Sequence, residues 1–208
     1  MAKVNSPFIL SGKVGDHVYY QRKGKQLVRR KPAPRKTGPS PLELATRSKF
    51  GFMTKFLQPL KSLFTETFKS MHTTPMNEAL SANLKNVIPD SYPDWRVDFS
   101  KLSLGKGDIT GARDLLLSAL QPGQILFNWN GNARAWRSSG RDLVYVAAYC
   151  EDLQDWLTHV GSVYRKDGSF ILDAEPFSGF RAHVYLGFIS DLWNDCSNSK
   201  YLGEVDVL

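Results

Sequence analysis

The chain has 208 residues, of which 42% are hydrophobic and 23% are charged. This composition is that of a soluble globular protein and excludes a disordered chain, and the length allows one large domain or two small ones. The net charge of +7 is unevenly distributed, since residues 1–85 carry 16 Lys and Arg against four Asp and Glu, whereas residues 86–208 carry 11 against 16. The chain therefore has a basic N-terminal part and an acidic C-terminal part.

The first predicted element is a β-hairpin. Residues His17 to Arg22 and Lys25 to Arg30 are rich in Val, Tyr and Leu, and they flank Lys23-Gly24, where glycine can supply the positive φ of a tight turn. An isolated two-stranded hairpin is only marginally stable in water. We therefore expect it to pack on another part of the chain or on a neighbouring molecule. The contacts should involve the side chains that supply most of its apolar area, which are Val18, Tyr20, Leu27 and Val28.

The densest positive charge of the sequence begins in the same segment. Eight cations lie within 15 residues with no acidic residue among them: Arg22, Lys23, Lys25, Arg29, Arg30, Lys31, Arg35 and Lys36. Such a segment attracts polyanions, including nucleic acid, through Coulomb forces. A solvated linker is the alternative interpretation, because Pro32, Pro34, Gly38 and Pro39 interrupt regular structure in its C-terminal part.

Two or three helices are predicted to follow the hairpin. Ser40-Pro41-Leu42-Glu43 has the residues of a helix start. Behind it, residues recur at the three- and four-residue spacing of a buried helical stripe: Leu42, Ala45, Lys49, Phe52, Phe56, Leu60, Leu63 and Phe64. Pro59 should kink or divide this helix near Phe56 or Leu57, and Thr74-Pro75 should begin another that ends before Pro89. The phenylalanines of this region, Phe50 to Phe68, are expected in the core.

From about Val97 the sequence changes to short β-like runs separated by Gly, Asn, Asp and Ser. The runs are Val97 to Leu104, Leu115 to Leu120, Gln124 to Trp129, Leu143 to Cys150, Val160 to Arg165, Ser169 to Leu172, Ala182 to Ile189 and Tyr201 to Val207. Seven or eight strands without helical crossovers indicate an antiparallel sandwich, in which Trp129 would suit a central core position.

The predicted fold class is therefore α+β. Residues 1–89 form a basic segment with an N-terminal β-hairpin and two to three helices, and residues 96–208 form an antiparallel immunoglobulin/fibronectin-like β-sandwich.

The sequence contains no motif that points to catalysis. It lacks a phosphate-binding loop and a nucleophile elbow. The four histidines, His17, His72, His159 and His183, are dispersed without a second ligand at metal-site spacing. Asp152 and Asp155 are expected in a solvated turn. We expect a protein that is not an enzyme and that has no cofactor and no metal.

The sequence also bears on location and redox state. The apolar run Phe8 to Leu10 is much shorter than the roughly 7 to 15 residues of a secretory signal, and no segment approaches the ~18 apolar residues of a membrane helix. We expect a cytoplasmic protein without membrane insertion, and export by a route that needs no such signal stays open. Cys150 and Cys196 are expected as reduced thiols, although a pair could form.

Several runs resemble a known family. The runs GKVGDHVYYQRKGKQLVRRKP, LATRSKFGFMTKFLQPLK and NLKNVI, with the ending VYLGFIS…SNSKYLGEV, resemble a family of unknown function found mainly in Bacteroidota. The most specific parts are the N-terminal Gly-Lys-Val-Gly and the C-terminal Ser-x-Ser-x-Tyr-x-Gly, formed by Ser197, Ser199, Tyr201 and Gly203. The resemblance supports the two-part layout and implies no activity.

Two hypotheses about function follow. In the first, the chain is a non-catalytic binding protein whose basic segment binds a polyanion such as nucleic acid or a ribonucleoprotein surface, while the sandwich contacts protein. In the second, the chain is a structural subunit of a larger assembly, such as a phage-like particle, injection device or filament. The hairpin would then complete a sheet of a neighbouring subunit.

Overall fold

The computed structural model describes residues 2–3, 9–22, 24–34, 37–69, 73–86, 92–132 and 136–208. The chain forms two compact units, Met1–Pro41 and Leu42–Leu208. This division lies earlier than the expected boundary between residues 89 and 96. The difference has a physical reason, because the apolar faces of the helices pack on the strands of the sandwich and share one core with them.

The first unit is a four-stranded antiparallel sheet. Its strands are β1 (Ala2–Lys3), β2 (Gly12–Val14), β3 (His17–Arg22) and β4 (Lys25–Arg30), and their order in the sheet is β1-β4-β3-β2. The predicted hairpin forms the centre, with Gly24 at a φ of +69° in its turn. Each strand of the hairpin has one further partner strand, β1 beside β4 and β2 beside β3.

Three α-helices open the second unit, as the sequence predicts. They are α1 (Pro41–Leu57), α2 (Lys61–Thr67) and α3 (Pro75–Asn83). Pro59 lies in the 3-10 turn Gln58–Leu60 that separates α1 from α2, because proline cannot donate the backbone hydrogen bond of a continuous helix. The Thr74 hydroxyl accepts a hydrogen bond from the Asn77 amide at 3.4 Å and caps α3.

Seven strands of the second unit form two antiparallel sheets. The strands are β5 (Arg113–Gln121), β6 (Gln124–Asn130), β7 (Leu143–Cys150), β8 (Asp155–Tyr164), β9 (Ser169–Asp173), β10 (Arg181–Ile189) and β11 (Lys200–Asp206). One sheet has the order β5-β6-β9 and the other has the order β11-β10-β7-β8. The result is a seven-stranded fibronectin-like sandwich, and it confirms the predicted fold class.

Two apolar clusters hold the second unit together, one on each face of the four-stranded sheet. Between the sheets, Phe127 and Trp129 of β6 pack with Val144, Val146, Val184 and Leu186 of β7 and β10. On the other face, Tyr145, Ala147 and Tyr185 pack with Met53, Leu57 and Phe64 of the helices. The helices therefore form a third layer, and Trp129 occupies the predicted core position.

The run Val97 to Leu104 is not a strand. The Asp98 carboxylate accepts a hydrogen bond from the Ser100 amide at 3.2 Å and begins the 3-10 turn Phe99–Lys101. A hydrogen bond from the Lys101 ammonium lowers the pKa of Asp98. Leu102 and Leu104 are buried in the helical cluster. The alternation of apolar residues that predicted a strand instead reflects burial against the helices.

The phenylalanines and the predicted helical stripe divide between core and surface. Phe64 and Phe68 are buried, whereas Phe52 and Phe56 are half-buried against the same cluster. Phe50 is half exposed, and Leu42 at the start of α1 is 78% exposed. The stripe is thus correct from the middle of α1 onward and wrong at its first turn.

A buried ion pair connects the loops at one end of the sandwich. The guanidinium of Arg165 donates from Nε to Asp142 Oδ2 at 2.9 Å, and both side chains are 0% exposed. Its other nitrogens donate to Asn132 Oδ1 at 3.1 Å and to the Thr110 carbonyl at 2.8 Å, and the group lies 3.8 Å from the Phe188 ring centre. Burial lowers the pKa of Arg165, and Asp142 opposes this shift.

Removing this cation should destabilise the second unit strongly. Arg165→Ala leaves Asp142 buried without a counter-ion, and the expected loss in the free energy of unfolding is about 3–5 kcal/mol. Arg141→Ala removes an exposed pair with Asp191, at 3.0 Å, and should cost less than about 1 kcal/mol. Urea unfolding followed by tryptophan fluorescence measures both. Equal losses for the two variants would contradict this account.

Candidate functional site

The sheet of the first unit has two chemically different faces. Successive side chains of a strand point to opposite faces, and directly paired residues share a face. The pairing of β2, β3 and β4 thus defines a cationic face, formed by Lys13, Val18, Tyr20, Arg22, Lys25, Leu27 and Arg29. The other side is a neutral face, formed by Val14, His17, Tyr19, Gln21, Gln26, Val28 and Arg30, with Gly12 beside Tyr19.

The cationic face places its charges around an apolar centre. Lys13 and Arg29 flank Val18 in one row, and Arg22 pairs with Lys25 in another. The half-buried pair Tyr20 and Leu27 lies between these rows. Because the two rows are four residues apart along β3, they are separated by about 13 Å.

Lys13, Arg22, Lys25 and Arg29 of this face are exposed. In the part of the chain that the structure describes, no carboxylate lies within 4.0 Å of Lys13, Arg22, Lys25 or Arg29. The sequence explains this, because Asp16 is the only acidic residue among residues 1–41, which contain ten Lys and Arg. An external anion would therefore meet little competition for these cations.

The structure brings together only some of the predicted polyanion-binding residues. Arg22, Lys25 and Arg29 share the cationic face, whereas Arg30 lies on the neutral face opposite His17. Lys31 follows β4 and donates its amide to the Asp16 carbonyl at 2.7 Å. Lys23, Arg35 and Lys36 lie outside the described residues.

The predicted hairpin contacts are divided between the faces in the same way. Val18, Tyr20 and Leu27 lie on the cationic face, and Val28 lies on the neutral face opposite Tyr19. Lys13 belongs to the cationic face although the sequence analysis did not select it. The position of Lys13 between Gly12 and Gly15, which mark the two ends of a short strand beside the hairpin, is the sequence signal that could have identified it.

A cluster of titratable side chains surrounds His183 in the second unit. His183 Nε2 lies 2.8 Å from Glu151 Oε1, its Nδ1 lies 2.9 Å from the Tyr201 hydroxyl, and its ring stacks on Phe99 with centres 3.8 Å apart. Burial raises the pKa of Tyr201. The cluster joins β10, β11 and the turn after β7. Among the residues described, no three His, Cys, Asp or Glu side chains are placed to hold a metal ion.

The remaining candidates from the sequence are structural or exposed. Asp152 lies in the exposed turn between β7 and β8, and Asp155 is the exposed first residue of β8. Cys150 and Cys196 are buried free thiols in the two different apolar clusters. The Cys196 thiol donates to the Thr67 carbonyl at 2.9 Å, and burial raises its pKa to about 12. A thiol that stays protonated at neutral pH is a poor nucleophile.

These observations lead to the comparisons with known proteins. Residues 9–203 match the family of unknown function DUF6266, so the match includes residues of both units. The chain belongs to this family. No curated protein matches the sequence. Among the described residues of this family member, no helix is long and apolar enough to cross a membrane.

Solved structures provide two further comparisons. The fn3 domain of human collagen alpha-1(XX) chain is 12% identical, with a TM-score of 0.36, over 48% of this chain and 86% of that domain. The fn3 domain of human contactin 1 is 8% identical, with a TM-score of 0.32, over 50% and 76% of the two chains.

The buried Cys196 thiol should make folding stability depend on pH in alkaline solution. In the unfolded chain the thiol ionises near its ordinary value of 9.0, whereas its pKa in the folded protein is about 12. This contribution to stability is therefore complete below about pH 9 and is lost as the pH rises toward 12.

Between about pH 8 and pH 10 the expected loss is about 1.4 kcal/mol, which Cys196→Ser should abolish because serine does not ionise. Urea unfolding of both proteins at these pH values measures the difference. The same loss in the variant would show that Cys196 is not its source.

Proposed function

We propose that this chain is a non-catalytic polyanion-binding protein whose cationic face binds nucleic acid. The observation that carries the proposal is the placement of four exposed cations around Tyr20 and Leu27 on one face of a sheet, with no carboxylate of the described residues within 4.0 Å of them. Exposed Lys and Arg gain affinity for phosphates through release of counterions. Arginine can also hold a phosphate through two parallel hydrogen bonds.

Single-stranded nucleic acid suits this face better than a duplex. Proteins that bind single strands combine a positively charged path for the backbone with aromatic side chains on which bases stack. The two cationic rows lie on either side of the half-buried Tyr20, so that both rows can contact the phosphates of one extended strand. Such binding depends little on base sequence, because every base has an aromatic face.

The sandwich is the proposed protein-contacting part. Trp136 is 75% exposed, and Leu192 and Trp193 are also exposed on the loop between β10 and β11. Arg137 lies 5.8 Å from the Trp193 ring centre, and the Thr110 hydroxyl donates to the Trp136 carbonyl at 2.8 Å, so this aromatic patch is held in place. Tryptophan and arginine dominate the binding energy of many protein interfaces, which supports the proposal.

The adjacent residues Arg29 and Arg30 offer a matched test, because they lie on opposite faces of β4. Arg29→Ala should weaken the binding of a fluorescein-labelled oligo-dT several-fold. It should also flatten the dependence of log Kd on log salt by about 0.7 for each phosphate that the variant no longer binds. Arg30→Ala changes the net charge equally and should have a much smaller effect. Fluorescence anisotropy at two salt concentrations measures both variants.

Two results would count against the proposal. One is an unmodified protein that binds neither oligo-dT nor an arbitrary duplex at low salt. The other is an equal loss of affinity in Arg29→Ala and Arg30→Ala, because charge alone, and not the cationic face, would then explain the binding.

A role as a structural subunit is the second candidate, favoured by a separate observation. None of the described side chains of the first sheet is buried. A sheet without buried side chains gains stability when a neighbouring molecule covers one of its faces or adds a strand to its edge. Size-exclusion chromatography of nuclease-treated protein separates the candidates. An oligomer that persists at high salt supports the subunit role, whereas nucleic acid that co-elutes at low salt from untreated protein and is released at high salt supports the first proposal.

A further inference from the structure

A cavity of about 730 Å³ lies in the second unit, between the C-terminal half of α1 and the turn that joins β7 to β8. Sites for small ligands usually have volumes of roughly 300 to 1,000 Å³ and are lined mainly by apolar and aromatic side chains. Six aromatic side chains of the described residues line this cavity: Phe52, Phe56, Trp95, Phe99, Tyr149 and Trp156. Its size and its lining are therefore those of a ligand site.

The floor and the walls of the cavity differ in burial. Tyr149 and Trp156 are each 8% exposed and form the floor, whereas Phe52, Phe56 and Trp95 are half-buried and form walls. The Phe56 ring centre lies 5.0 Å from that of Tyr149 and 5.4 Å from that of Trp156, both in edge-to-face contacts. Because the rings hold one another in place, a ligand would not have to order them, which lowers the entropy cost of binding.

The aromatic residues of the cavity have one hydrogen-bonding group that the chain does not use. Trp95 Nε1 donates to the Ser48 hydroxyl at 3.0 Å, and Trp156 Nε1 donates to the Phe56 carbonyl at 3.2 Å. The Tyr149 hydroxyl, in contrast, makes no hydrogen bond with any residue that the structure describes. It is therefore the donor that the floor offers to a ligand.

The Tyr149 hydroxyl is accessible and protonated. Asp142 Oδ1 is the only fully enclosed side-chain polar atom without a partner among the described residues, so the Tyr149 oxygen is open to the cavity that this residue lines. Burial raises the pKa of Tyr149 to about 12, so the hydroxyl keeps its proton at neutral pH and can donate it. A ligand atom that accepts this hydrogen bond would remove the cost of leaving the hydroxyl unpaired.

The lining also indicates the chemical class of the ligand. Aromatic side chains favour aromatic partners, which they contact edge-to-face or in offset stacks. The exposed rim carries Lys55 and Arg96 against Glu151, and charges at the solvent boundary are screened by salt. The buried floor, which has no charged side chain, therefore determines the class and favours an uncharged ring with a hydrogen-bond acceptor.

We propose that this cavity binds a small planar aromatic molecule that accepts a hydrogen bond from Tyr149. The site goes beyond the proposed function, which concerns the cationic face of the first unit, and either can fail without the other.

Two ketones of similar size test the proposal. Acetophenone carries its carbonyl on an aromatic ring, and cyclohexyl methyl ketone carries the same carbonyl on a saturated ring. The indole N–H signals of the five tryptophans are followed by NMR of nitrogen-15-labelled protein. Acetophenone should shift the signals of Trp95 and Trp156 and leave that of Trp129, in the other apolar cluster, unchanged. It should bind at least about twofold more tightly than the saturated ketone.

Tyr149→Phe removes the donor and keeps the ring, so it should weaken acetophenone binding about two- to tenfold. The matched control is Tyr164→Phe, the same substitution at an exposed tyrosine near the opposite end of the β7–β8 pair, which should bind like the unmodified protein. Because the Tyr149 hydroxyl has no partner among the described residues, Tyr149→Phe should unfold at an unchanged or higher urea concentration. This measurement verifies that the variant folds.

Three results would overturn the proposal. The first is that neither the Trp95 nor the Trp156 signal shifts up to the solubility limit of acetophenone, and the second is equal affinity for the two ketones. Both use the unmodified protein and so do not depend on the folding of a variant. The third is equal affinity for acetophenone in Tyr149→Phe and Tyr164→Phe. A failure to bind oligo-dT would overturn the proposed function alone.

Discussion

The burial of one sheet on both of its faces is the constraint on which the second unit depends. β7 and β10 present apolar side chains to both sides, and all but the first residue of each strand are buried. Such strands require two covering layers, because an uncovered face would expose several large apolar side chains to water. The three-stranded sheet provides one layer and the helices provide the other. This is why the helices belong to the second unit although they follow the hairpin in the chain.

The sequence predicts those elements whose signals are local. Pro41, Pro59 and Pro75 determine where helices begin or break, and the runs of β7 and β10 are long and apolar enough to be recognised as strands. Local sequence signals fail for residues whose burial depends on partners that are distant in the chain. Leu102 and Leu104 alternate like a strand but are buried by the helices, and Arg165 has no local feature that predicts a buried cation.

The assignment of side chains to the two faces of the first sheet can be predicted from the sequence only in part. A two-residue turn pairs Arg22 with Lys25, and counting back along both strands pairs Tyr20 with Leu27 and Tyr19 with Val28. Hydrophobicity alone groups Val28 with Leu27 as a hairpin contact. Neighbouring residues of a strand, however, point to opposite faces of the sheet. Lys13 could not be placed without β2, whose three residues are too few for a periodic signal. The charge distribution itself is plain from composition, because residues 42–208 carry 17 Lys and Arg against 19 Asp and Glu, so the net positive charge of the chain lies in the first unit.

The alternation of side chains in the β3–β4 hairpin also limits how its strands can change in length. With side chains alternating at a period of two, inserting one residue between Val18 and Arg22 would move the residues on one side of the insertion to the opposite face. Charged and apolar side chains would then be mixed on both faces, although the composition of the sheet would be almost unchanged. Insertions and deletions within the strands of this hairpin should therefore be tolerated only in pairs. The number of residues in each strand, even or odd, therefore determines which face the side chains occupy, whatever those residues are.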